Sequence, residues 1–236
     1  MGEVRTGGRR VRVALESLRV VTSGIGVLDK TVQILDAVAT SPQTLRSLTE
    51  VTGIARPTAH RLATGMERHG LLRRDSDGRY RLGLALVALG HAAQRSMSIV
   101  EPARPILAML CTDTGESVQL YVREGDRRVC VVAVEAAAEL RTIVPEGAVL
   151  PLNRGSAGRV LTGDVGPAGW TETVSERAQG VASVSAPVRG QDASVVAAIS
   201  ISGPIDRMSE EPGRRFGAAV VHAADTLSAR LGRRDT

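Results

Sequence analysis

Between Gly53 and Arg81 the chain carries seven arginines against Glu67, Asp75 and Asp77, a net charge of +4. A guanidinium is a planar fork of donors that matches phosphate oxygens and the O6/N7 edge of guanine, so this density points to nucleic-acid chemistry. Spacing sharpens the point. Ala59, Leu62, Ala63 and Met66 recur at helical intervals, while Arg56, Thr58, His60, Arg61 and Arg68 project from the other faces. Pro57 suits the first turn of that helix and Gly70 its end. Beyond Gly70, Leu71 to Arg74 and Arg79 to Leu82 flank Asp75-Ser76-Asp77-Gly78, whose Asp-Gly step signals a hairpin. Arg56 and Arg61 are candidates for guanine or phosphate, Thr58 and His60 for a base edge or phosphate, and Arg74, Arg79 and Arg81 on the hairpin are candidate DNA contacts beside them. The competing reading is a solvated basic face on a structural helix, which the arginines on the hairpin make the weaker one.

Two elements must position that helix. Val27 to Val38 follows a helical period and stops at Ser41-Pro42; Thr44 then caps Leu45 to Thr52, and Gly53 makes the turn. Helix, helix, Gly turn, helix and hairpin in that order is a winged helix-turn-helix, with the last helix set to enter a major groove. Thr44 and Ser47, near the start of the second helix, are candidate phosphate contacts. Leu84 to Arg95 reads as a joining helix, and Val100 to Thr114 as another, ended by Gly115.

From Ser117 the period changes from 3.6 to 2. Ser117 to Arg123 and Arg128 to Glu135 form one hairpin, Ser183 to Arg189 with Val195 to Ser202 a second, and Leu140 to Val144 and Val149 to Leu152 shorter strands. Gly155 to Leu161 reads as a helix, and Phe216 to Leu231 as an amphipathic closing one. An antiparallel sheet covered by helices makes the class α+β. Alternation sets Ser183 and Ser185 on one face of their strand, and Ser200 and Ser202 on one face of theirs. Four small hydroxyls on one surface could line a ligand site or be the wet side of a half-buried sheet. Arg154-Gly155-Ser156-Ala157-Gly158 opens a helix whose free N–H groups would hold a carboxylate; an ordinary Gly-rich helix entry is the alternative.

At 236 residues and 43% hydrophobic, the chain can bury two modest cores. One Phe, one Trp and two Tyr make those cores aliphatic and argue against base-stacking platforms for single strands or RNA. Lys30 is the only lysine. Residues 1–22 carry +3 and read as a basic tail, either a disordered arm adding phosphate contacts or a stretch outside the folded unit with translation starting nearer Val20 or Val21. Cys111 and Cys130 are too few for a disulfide framework, and no leader or membrane-length apolar run is evident, so a reduced, soluble, cytoplasmic protein is expected. GIGVLDK at Gly24 to Lys30 lacks a Walker pattern. The histidines and cysteines lack metal spacing, and no nucleophile signature occurs; no cofactor, no metal and no catalytic residue is expected.

The phrases GIARPTAHRLATGMERHGLLRRDSDGRYRLG, TGESVQLYVREGD, GVASVSAPVRG and VVAAISISGP, in that order, resemble the IclR-type transcriptional regulators from about Ser23 onward. The resemblance is strongest to the actinobacterial branch typified by the NdgR and AreB regulators of amino-acid metabolism. It implies a winged helix-turn-helix over 23–82, a linker helix over 83–98 and a GAF-like effector-binding domain over 99–236. It also implies a homodimer or homotetramer on a pseudo-palindromic double-stranded DNA operator, and control by a small metabolite such as an amino acid or small carboxylic acid. Effector contacts in the family fall at the positions of Leu150, Ser156, Ala157, Thr173, Ser183, Ser200 and Ser202, with an acidic residue often standing where Thr173 does. Between Leu161 and Gly169 this chain keeps only TGDVGPA where the family carries a further helix and loop, which implies a more open pocket or a lost lid. The alternatives are a small-molecule-binding protein or enzyme with an incidental winged helix, and an architectural DNA binder whose second domain only oligomerises.

Overall fold

The computed structural model describes residues 23–232; the basic tail, 1–22, lies outside the described residues. They divide into two compact units, 23–96 and 97–232.

The first unit opens with α1 (Gly26–Thr40), α2 (Leu45–Thr52) and α3 (Arg56–Arg68). The α2 start is fixed locally: the Ser47 N–H donates to Thr44 Oγ1 and the Thr44 N–H donates back to Ser47 Oγ. Such a reciprocal cap contributes about 1 kcal/mol. Gly53 ends α2 at φ 68, the left-handed conformation that lets the chain reverse into α3. Ile34, Val38, Leu48, Ile54, Ala59, Ala63 and Met66 close over one another with Leu72 and Tyr80 from the wing. The wing pairs β1 (Leu72–Arg74) with β2 (Tyr80–Leu82), Arg74 opposite Tyr80. Asp75 shapes its turn, one carboxylate oxygen accepting from the Asp77 and Arg79 N–H groups. A contact without a sequence signal anchors the wing. The Gln43 N–H donates to the Tyr80 carbonyl at 3.0 Å, and the Tyr80 N–H to the Gln43 carbonyl at 2.6 Å, adding an antiparallel bridge from the α1–α2 loop. Next comes α4 (Leu84–Ser96), none of whose residues is buried.

The second unit is built on β3 (Ser117–Glu124), β4 (Arg127–Val134), β5 (Val149–Pro151), β6 (Thr171–Val174), β7 (Val181–Arg189) and β8 (Val195–Pro204), in antiparallel order β5-β4-β3-β8-β7-β6. Alternation decides its two faces. Leu120, Val184, Val188, Ile199 and Ile201 pack beneath α5 (Val100–Thr114) and α8 (Pro212–Gly232), with Leu107 and Leu110 from α5 and Phe216, Val220 and Leu227 from α8. The opposite face carries α6 (Ser156–Leu161) over Tyr121, Cys130, Leu150 and Ala198. A single turn, α7 (Ile205–Met208), follows β8.

Two expectations change. Leu140 to Val144 is not a strand; Ile143 alone makes a bridge. The edge of β4 beside it is already taken, by β5 and by Gly147 and Ala148 bonding the Cys130 backbone, so Val144 fills the apolar cluster instead. The closing helix begins at Pro212 rather than Phe216, and β6, too short to show alternation against turns, had no signal.

Candidate DNA-reading and effector sites

On the first unit, Arg56, His60 and Arg61 are exposed along α3, and Thr58 is half-buried between them. Neither Arg56, Arg61 nor Arg79 makes an ion pair among the described residues. Their donors remain open to a ligand. Thr44 and Ser47 stand at the mouth of α2, their hydroxyls engaged in the cap. Two other wing arginines, Arg81 and Arg74, are placed differently. Arg81 Nε donates to Asp75 Oδ2 at 2.8 Å, an ion pair that holds the Asp75 carboxyl below the usual carboxylate range. Arg74 Nε donates to Glu67 Oε1 at 2.9 Å, its Nη2 donates to Tyr80 Oη at 2.6 Å, and its guanidinium lies 4.4 Å from the Tyr80 ring centroid. Arg74 therefore ties the end of α3 to the wing, fixing the angle between the two basic surfaces.

On the second unit, the serine reading of strand faces agrees with the register. Ser183 pairs with Ser202 and Ser185 with Ser200 across β7 and β8, all on the α6 side. Ser156 Oγ lies 2.8 Å from Ser183 Oγ and 2.7 Å from Ser185 Oγ, and Thr173 Oγ1 lies 3.1 Å from Ser183 Oγ. Four hydroxyls from α6, β6 and β7 thus form one connected cluster. Ser202 is drawn elsewhere, its hydroxyl donating to buried Gln119 Oε1 at 2.9 Å, and buried Ser200 lies opposite Gln119 in the β3–β8 register. Leu150 and Ala157 are buried in the apolar cluster beside these groups.

Two of the N–H groups expected to be free at the start of α6, those of Gly155 and Ser156, are occupied, which corrects that part of the reading. The Gly155 N–H donates to Glu176 Oε1 at 3.1 Å and the Ser156 N–H to Thr173 Oγ1 at 3.1 Å. The chain's own side chains thus satisfy two of the donors that a helix start leaves open.

The residues missed by sequence reasoning lie against Gly155. Arg128 is 2% exposed, with Nη1 donating to the Pro151 and Arg154 carbonyls at 2.7 and 2.6 Å. Its guanidinium sits 5.3 Å from the Tyr121 ring centroid. A Cβ on Gly158 would lie 2.4 Å from Arg128 Nη1, so glycine there makes room for the arginine. The only available signal was phase, since Arg128 lies two residues from Cys130 in an alternating strand. Burial pushes the Cys130 thiol up to about 12 and raises the Tyr121 phenol as well, so neither is poised to react. Among the described residues no group of three or more His, Cys, Asp or Glu could hold a metal ion, and no helix is long and apolar enough to cross a membrane.

The comparisons with known proteins fit this arrangement. The IclR helix-turn-helix domain matches residues 27–76, and the bacterial transcriptional regulator IclR C-terminal domain matches 91–166 and 164–229. The two C-terminal pieces meet where the segment after Leu161 is short. Among curated relatives, the HTH-type transcriptional regulator KipR of Bacillus subtilis is 26% identical over 224 residues, covering 80% of this chain and 90% of the relative. The transcriptional repressor IclR of Escherichia coli is 24% identical over 265 residues, covering 95% and 96%. The crystal structure of the Thermotoga maritima IclR superposes with a TM-score of 0.71 at 21% identity, covering 88% of this chain and 99% of that one. With both of its family domains matched across most of its length, the chain belongs to the IclR family of DNA-binding transcriptional regulators.

Proposed function

We propose that this regulator binds a pseudo-palindromic operator as a homodimer or homotetramer, and that a small metabolite on the α6 face of its sheet controls that binding. The metabolite is an amino acid or a small carboxylic acid, and the controlled genes serve amino-acid metabolism, as in the NdgR and AreB branch the sequence resembles. The observation that carries the reading is the pairing of open arginines on α3 with a buried hydroxyl cluster on a separate unit. The first suits a polyanion; the second is chemistry that an aliphatic core has no use for unless a polar guest is held there. Arg56, Thr58, His60 and Arg61 read the groove, Thr44, Ser47 and Arg79 take phosphates, and Arg74 and Arg81 hold the wing that presents Arg79. Residues 23–82 read DNA, 83–98 link and 99–236 sense. Exposed Ile25 and Val27 on and before α1, with Leu84, Val87 and Leu89 on α4, supply apolar surface for pairing of two reading units. A metabolite changes operator affinity only insofar as it binds the DNA-competent and DNA-incompetent states differently.

The test is a metabolite screen by thermal shift on the full chain, followed by operator titration with each hit. A hit that changes operator affinity, and whose effect is lost in Ser183→Ala with Ser185→Ala, supports the reading; a hit whose effect survives the double change moves the site off this cluster.

A further inference from the structure

Arg128 presents an electrostatic problem. An arginine keeps its charge at any physiological pH, and burying a charge without a counter-charge costs several kcal/mol. At 2% exposure Arg128 makes no ion pair among the described residues, and its Nε has no hydrogen-bond partner. Two carbonyls and the face of Tyr121 are its compensation. A second cation is close by. Arg177, on the β6–β7 loop, places a buried Nη1 that also lacks a partner, and burial first, then the Arg177 guanidinium, disfavour the charge on Arg128. Gly155 lies between them: a Cβ on it would stand 3.3 Å from Arg128 Nη2 and 3.6 Å from Arg177 Cβ. The nearby carboxylate, Glu176, is committed to the Gly155 N–H and to Arg159 Nη2 at 3.2 Å. It leaves Arg128 without a contacting anion.

A structural clamp explains Nη1, which holds the loop from Pro151 to Arg154. It does not explain two arginines converging with unpartnered buried donors, since like charges repel most where water is excluded. We propose that Arg128 and Arg177 form the anion-receiving end of the metabolite site, and that the metabolite carries a compact oxyanion, a carboxylate or a phosphate. This rests on the α6 face being the metabolite site. The fork geometry of a guanidinium suits both oxyanions. The Ser156, Thr173, Ser183 and Ser185 hydroxyls, which begin one residue after Gly155, then meet the polar remainder of the molecule.

The full chain is melted while Trp170, its only tryptophan, is followed by fluorescence. Sodium acetate, malonate and phosphate are titrated at constant ionic strength in the millimolar range, with acetamide and malonamide as uncharged counterparts. At least one oxyanion raises the midpoint saturably, the amides do not, and the more effective of carboxylate and phosphate identifies the head group. Because replacing Arg128 also releases two carbonyls, Arg177→Gln carries the test: it weakens the oxyanion at least tenfold, with circular dichroism reporting that it folds. Undiminished binding in Arg177→Gln, equal shifts from the amides, or no saturable shift from any oxyanion overturns the proposal. If Arg177→Gln binds its metabolite like the parent while Ser183→Ala with Ser185→Ala does not, the site stands and the arginine assignment falls. If neither change matters, both fall.

Discussion

Replacing Arg74 by methionine keeps the aliphatic stem and removes the ion pair that joins α3 to the wing together with the two contacts to Tyr80 inside the wing. The ion pair to Glu67, with the arginine side chain 44% and the glutamate 25% exposed, is worth about 0.2–1 kcal/mol after solvent screening. The bond to Tyr80 Oη, at 2.6 Å to a buried tyrosine, is worth about 1.5–3 kcal/mol, and the guanidinium over the ring about 0.5–1 kcal/mol. The three share one guanidinium and are not additive, so the expected loss is about 2–3 kcal/mol. For a unit of this size that lowers its melting midpoint by roughly 8–24 °C. Trp170 lies in the second unit, so a transition seen by circular dichroism but silent in tryptophan fluorescence belongs to residues 23–96. Arg79→Ala is the control. Arg79 is exposed and makes no ion pair, so its loss leaves the midpoint within about 0.5 kcal/mol. It flattens the salt dependence of DNA binding by about one phosphate contact, a slope change near 0.9. An Arg74→Met protein with an unchanged midpoint and a flattened salt slope would refute the reasoning and make Arg74 a DNA contact.

Other outcomes follow from the same geometry. Arg61→Ala weakens operator binding by about 1–3 kcal/mol and relaxes preference at one base pair, measured by anisotropy on operator variants; equal weakening on every sequence assigns Arg61 to phosphate. Ser202→Ala leaves buried Gln119 Oε1 without its donor and costs about 1–3 kcal/mol by urea unfolding, whereas an unchanged midpoint would place water or another donor there. Gly158→Ala drives a Cβ to 2.2 Å from the Leu152 carbonyl oxygen and 2.4 Å from Arg128 Nη1, and should destabilise the second unit by about 1–3 kcal/mol or more. Cys130 titrates near 12 when folded and near 9.0 when free, so its contribution is fully present below pH 9 and is lost as pH rises toward 12. Stability should fall over that window, and fall less in Cys130→Ala.

What could be read before the structure was what local chemistry decides. Thr44, Gly53 and Pro57 announce the reading helices because caps and left-handed turns are properties of single residues. The Asp75–Gly78 turn announces the wing for the same reason, and strand alternation put Ser183 with Ser185 and Ser200 with Ser202 on one face of their respective strands. What could not be read depends on contacts between distant residues. The Gln43–Tyr80 bridge joins segments with no shared pattern. Nothing in the order of residues tells that Arg74 turns toward Glu67 and Tyr80 while Arg79 stays free. The N–H groups at Gly155 and Ser156 looked open because Glu176 and Thr173, some 20 residues later, are brought to them only by folding. Arg128 looked like another exposed arginine on a hairpin, since its burial is set by β5 and the α6 loop closing over it.

The central claim joins a DNA reader to a metabolite sensor in one chain, and anisotropy titration of the full protein on its own upstream DNA tests it most directly. The titration is run at several salt concentrations, with and without small acids and amino acids, against an unrelated fragment of equal length. The account predicts selective binding with a steep salt slope, and a metabolite that shifts the operator affinity without changing that slope. Binding that is equal on both fragments at every salt concentration and indifferent to every metabolite would contradict it.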